Sequence, residues 1–234
     1  MDGWTESVDG PGTIVAAATP EARHARAAAA AVALAVAEAG SEHAGSALLV
    51  DLAGAGLYRP SMLATDAARG LAGTIATIDG WGAVPRGRLC IAVPEAVEPG
   101  DPVVPPELRL MDLLDVGLGS GAPAVVHCSP SGFRVALDTC RELDPRTAAL
   151  IQARPPREEQ TLLSALSFEL RGGGFRHRIW RRPPGLIQGR RALAGLDPGG
   201  ETSRRARATV RRLGAQEGQV VPAVAGLLLS LIHI

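Results

Sequence analysis

Short apolar runs alternate with stretches of helical character along most of the chain. Residues 13–18 (Thr-Ile-Val-Ala-Ala-Ala) read as a buried strand, and Thr19 and Pro20 then supply an N-cap and a first-turn residue for an alanine-rich helix reaching about Gly40. Further strands are predicted over 47–52, 88–93, 124–128, 147–153 and 175–180. Helices are predicted near 61–71, 107–117, 132–142 and 157–171, and the Pro-rich stretch 94–106 reads as an irregular surface loop. Strands that are apolar throughout, rather than at every second position, are those buried on both faces. The pattern therefore predicts an α/β fold: three layers, with a mostly parallel sheet covered by helices on both faces, Rossmann-like or P-loop-like.

The same pass divides the chain into a flexible leader (1–11), the α/β domain (12–200), a basic linker (201–218) and an apolar tail (219–234). The linker is read from Arg204, Arg205, Arg207, Arg211 and Arg212. From Val220 the tail is 15 residues, about 22 Å of helix against a hydrocarbon core of about 30 Å. It reads either as the opening of a truncated membrane helix, with arginines marking its cytoplasmic side, or as a C-terminal core helix or frayed tail. Leu229-Ser230-Leu231-Ile232-His233-Ile234 resembles translated sequencing-adapter DNA. That likeness implies that the natural sequence departs after about Leu228.

Composition sharpens the picture. All 24 basic residues are Arg, and the chain has no Lys, which excludes a P-loop lysine, a Schiff-base lysine and a pyridoxal-phosphate site. Net charge is zero, yet residues 1–120 hold 7 Arg against 15 acids and residues 121–234 hold 17 Arg against 9. Such a basic half suits an acidic partner or an anionic surface. With aromatics at 3% the base-stacking platforms of RNA and single-strand binders are missing, so no nucleic-acid partner is expected. Cys90, Cys128 and Cys140 form no C-x-x-C pair, and the five histidines form no i, i+4 pair, so neither a metal site nor a disulfide framework is expected. The leader has no basic n-region or apolar h-region, which points to a cytoplasmic protein, with the inner membrane face within reach through the tail.

In a doubly wound sheet, ligands bind beyond the carboxyl ends of the strands. The first such loop, Ala18-Thr19-Pro20-Glu21-Ala22-Arg23, has no glycine, no Lys and a proline that removes a donor, so it cannot cradle a phosphate as a P-loop does. The second strand ends in Leu49-Val50-Asp51-Leu52, after the helix Ala33-Leu34-Ala35-Val36-Ala37-Glu38-Ala39-Gly40. This order resembles the start of the deviant-Walker ATPases of the ParA/MinD type, including their pilus-localisation members, over about residues 13–56. The resemblance implies a degenerate P-loop fold without its phosphate loop. Asp51 is the one position it carries over, as a candidate cofactor contact; the plainer reading of Asp51 is a cap on the next turn.

Arg211-Arg212-Leu213-Gly214-Ala215-Gln216-Glu217-Gly218-Gln219-Val220-Val221 resembles the entry to the membrane helix of tight-adherence (Flp) pilus pseudopilin-like proteins. The stretches 154–170, 181–185 and 190–195 are similar to actinobacterial proteins of such pilus systems, which implies a context and no activity.

Val126-His127-Cys128-Ser129-Pro130-Ser131-Gly132-Phe133-Arg134 resembles the His-Cys-x5-Arg loop of cysteine-dependent phosphatases. There Cys128 would attack phosphorus as a thiolate, Arg134 would hold the phosphoryl oxygens, and Asp101 would protonate the leaving group. The other reading of Cys128 is a buried structural cysteine. A Ser-His-Asp set could be drawn from His127 or His177, but the sequence does not order one. Arg176, Arg178, Arg181 and Arg182 interleave with Phe175, His177 and Trp180 on a predicted edge strand. They serve either as protection against edge pairing or as a docking surface, for which Arg178, Arg181 and Arg182 are the candidates.

Together these readings predict a non-enzymatic accessory or scaffold protein of a pilus or secretion system, with a protein partner and no cofactor. The alternative is the Cys128 phosphatase. A nucleotide-binding regulator with a non-Walker site is a third possibility.

Overall fold

The computed structural model describes residues 13–18, 25–39, 46–52, 60, 62–95, 110–119, 122–129, 132–152, 159–180, 191 and 199–214. In chain order its elements are β1 (Ile14–Ala18), α1 (Ala25–Ala39), β2 (Ala47–Asp51), α2 (Asp66–Ile75), β3 (Trp81–Arg86), β4 (Leu89–Pro94) and α3 (Leu110–Gly119). They continue with β5 (Ala124–Cys128), α4 (Phe133–Leu143), β6 (Ala148–Gln152), α5 (Glu159–Gly172), β7 (Arg176–Trp180) and α6 (Glu201–Gly214). The strands form one sheet in the order β3-β4-β2-β5-β1-β6-β7, parallel except for the β3–β4 pair. This is the expected three-layer α/β architecture.

Helices cover both faces, which is why the central strands are apolar at every position. On one face, Leu71, Ile75, Leu113, Leu114, Phe133, Leu137 and Leu170 of α2, α3, α4 and α5 pack on Leu48, Val50, Val126 and Ile151. On the other, α1 and α6 pack on Ile14, Leu49, Val125 and Leu150. The contact stripe of α1 is small (Ala29, Ala30, Val32, Ala33, Val36), so this helix is held by close backbone approach rather than by large side chains.

Three features depart from expectation. β3 was not foreseen. It is an antiparallel edge strand that contains Pro85, and it turns into β4 through Gly87 at φ 59 and Arg88. A proline is tolerated there because an edge strand needs no inter-strand donor on its open side. α2 begins at Asp66 rather than near residue 61, because the Thr65 side chain caps it by accepting from the Ala68 N–H at 3.3 Å. The stretch read as a basic linker is helical as α6 over Glu201–Gly214. Thr202, Ala206, Thr209, Val210 and Leu213 are buried at helical spacing, and Arg204, Arg211 and Arg212 are exposed.

The leader, Thr19–Pro20, the loop 53–56 and the apolar tail lie outside the described residues, as does the 94–106 loop from residue 96 on. Among the described residues, no helix is long and apolar enough to cross a membrane.

Candidate functional site

β1 feeds α1 on one face of the sheet, whereas its neighbours β5 and β6 feed α4 and α5 on the other. The carboxyl ends of β1, β5 and β6 therefore border the switch point at which a doubly wound sheet opens a crevice. Leu49, Val125 and Leu150 pack with α1. Two residues further along the same strands, and so on the same face, stand Asp51, His127 and Gln152. All three are buried.

Asp51 and His127 are register partners on β2 and β5. His127 Nδ1 lies 3.0 Å from Asp51 Oδ1, with the side chains 5% and 1% exposed. The Leu52 N–H donates to the His127 carbonyl at 2.7 Å and fixes the two strand ends together. An ionised carboxylate has no proton to give, so Nδ1 carries the hydrogen and Nε2 presents a lone pair in the neutral ring. Nε2 is buried and has no hydrogen-bond partner among the described residues. The pair can accept one donor from the α1 side. Among the described residues, no three His, Cys, Asp or Glu side chains gather into a group able to hold a metal ion.

Asp51 therefore stands where the sequence places it, at the carboxyl end of its strand, but its carboxylate faces an imidazole from the neighbouring strand. Nothing local signals that pairing, because 76 residues separate the partners.

Two of the three phosphatase candidates, Cys128 and Arg134, lie among the described residues. Cys128 is 2% exposed and belongs to the core on the α4 side, and its Sγ donates to the Ala16 carbonyl at 3.6 Å. The Arg134 guanidinium is bonded to Asp138 at 2.8 Å and Glu169 at 3.2 Å on the exposed face of α4. The Gly132 N–H donates to Ser129 Oγ at 3.2 Å. Asp101 lies outside the described residues. Burial pushes the Cys90 thiol up to about 12. It also raises Cys140 beyond the usual thiol range, with smaller contributions from Cys128 and Asp144.

The arginines of β7 serve the fold in part. Arg176 donates to the Leu213 carbonyl at 2.9 Å, and so satisfies the carboxyl end of α6 with a cation. The Arg205 guanidinium lies 4.8 Å from the Trp180 ring centroid, and Trp180 Nε1 donates to Thr209 Oγ1 at 2.9 Å. Arg178 is half-buried, and its buried Nε has no hydrogen-bond partner among the described residues. Burial, and then the charge of Arg212, lower its pKa. Arg181 and Arg182 lie outside the described residues.

No family model matches the chain, and no curated protein matches its sequence. Among solved structures it is similar to a ParA family ATPase from Chlorobium tepidum TLS, at 12% identity over 85% of this chain and 98% of that chain, with a TM-score of 0.47. It is also similar to a chain of the MinC:MinD cell division protein complex of Aquifex aeolicus, at 16% identity over 90% of this chain and 97% of that chain, with a TM-score of 0.46.

Proposed function

We propose that this chain is a non-enzymatic accessory or scaffold domain, built on a nucleotide-binding type of α/β fold that no longer handles phosphate. The observation that carries the reading is the buried Asp51–His127 pair: among the described residues, the acid at the carboxyl end of β2 is held by the protein's own imidazole. A chain without Lys, and without glycine in its first strand-to-helix loop, is consistent with that state. The partner is a protein with an acidic face. It docks through Arg178 of β7 and through Arg181 and Arg182, which follow it in sequence. The sequence resemblance suggests the setting, a tight-adherence pilus or secretion assembly at the inner face of the cytoplasmic membrane.

Affinity capture with the full chain as bait tests both parts. Pilus or secretion ATPase and platform components should be recovered, and replacing Arg178, Arg181 and Arg182 by Gln should weaken that capture severalfold at an unchanged melting midpoint. Equal capture by the variant removes the docking surface. Capture that contains no such component removes the setting.

A further inference from the structure

Ser167 and His177 meet away from the central Asp51–His127 pair, on α5 and the edge strand β7. His177 points from β7 toward the helix-covered face of α5, because its register partner Ala149 belongs to the core on that face. Ser167 Oγ lies 2.7 Å from His177 Nε2, and His177 Nδ1 lies 3.3 Å from the Phe175 carbonyl oxygen. A carbonyl only accepts, so Nδ1 carries the ring hydrogen, Nε2 presents its lone pair, and the Ser167 hydroxyl donates to it. A hydroxyl bonded to a base that is itself oriented by a third group has the arrangement of an activated nucleophile. Arg171 follows Ser167 by one helical turn on the same side of α5. Ser167 and His177 are both partly exposed.

We infer that Ser167, with His177 as its base, is a nucleophile that accepts an acyl group from an activated ester. Oγ bonds to the ester carbonyl carbon as its proton passes to Nε2, and the oxyanion forms beside the charge of Arg171. Collapse breaks the ester C–O bond, and the departing alkoxide takes the proton back from Nε2. The products are an acyl-serine and an alcohol. Burial is the largest influence on His177 and lowers its pKa. The Phe175 carbonyl opposes this, and Arg171 and Arg178 add to it. The ring is therefore neutral at pH 7, and its Nε2 lone pair is available to the hydroxyl proton. This site is independent of the docking reading.

The test is acetylation of the full chain by p-nitrophenyl acetate, located by peptide mass spectrometry and timed by nitrophenolate release. One acetyl group is expected on Ser167. It should be absent in Ser167→Ala, slowed severalfold in Arg171→Gln and slowed about a hundredfold in His177→Gln. No acetyl group on Ser167, or an equal rate in a folded His177→Gln, overturns the inference. The wild-type pH profile is the second readout, and it holds even if that variant does not fold. A rate that is flat above about pH 7 supports His177 as the base, whereas one that climbs in proportion to hydroxide through pH 9 overturns it.

Discussion

His127 lies in the middle of the sheet, 4% exposed, with its Nδ1 on the Asp51 carboxylate. His177 lies on the edge strand, partly exposed, with its Nδ1 near a backbone carbonyl. Both rings have the same tautomer and both present Nε2, but they face different surroundings. In the dry centre the carboxylate and imidazole hold each other, and removing either strands a buried polar or charged group. At the edge the carbonyl only orients the ring, and Nε2 is left to work on the hydroxyl of a partly exposed serine. Two similar hydrogen-bond patterns thus give a structural pair in one region and a reactive pair in the other.

The largest effect should come from breaking the central pair. Asp51→Ala is expected to lower unfolding stability by about 3 kcal/mol in urea titration, because His127 is left without its partner. The double variant Asp51→Leu, His127→Phe should lose less than Asp51→Ala alone, since it removes both polar groups together. A double variant that loses more would mean the pair binds something that supports the fold.

At the edge, single contacts should matter less. Trp180→Phe removes the Nε1 bond to Thr209 Oγ1 that ties β7 to α6. It should cost about 1 kcal/mol by the same titration. A loss as large as that of Asp51→Ala would erase the contrast between centre and edge.

The smallest effect is a pH dependence. The folded His177 pKa is lowered from 6.5, so below pH 6.5 the unfolded chain binds this proton more readily than the folded one. Its contribution to stability is complete above pH 6.5 and declines as pH falls through that value toward the folded pKa. His177→Gln should therefore flatten the acid limb of the stability profile below about pH 6.5, and an unchanged limb would assign the slope to other groups.

Six of the seven strands were legible within a residue or so of their ends, because apolar runs in a sheet covered on both faces need no partner information to be recognised. β3 escaped because Gly82 and Pro85 interrupt its apolar run, and only pairing with β4 makes a strand of it. α6 escaped because five arginines dominate its composition, although Ala206, Val210 and Leu213 keep helical spacing on its buried side. Asp51 was visible as an acid at a strand end. Its engagement by His127 was not, because register across adjacent strands is a long-range property. The Ser167–His177 bond was equally hidden: one residue follows a helical period and the other a strand period, and only the α5–β7 packing brings them together.

The proposed closure of the switch point by its own side chains is tested by melting the full chain with and without millimolar ATP and magnesium. An unchanged midpoint is predicted, since no differential binding means no stabilisation. A rise of several degrees that saturates with ATP would contradict the claim and make the Asp51–His127 pair part of a working nucleotide site.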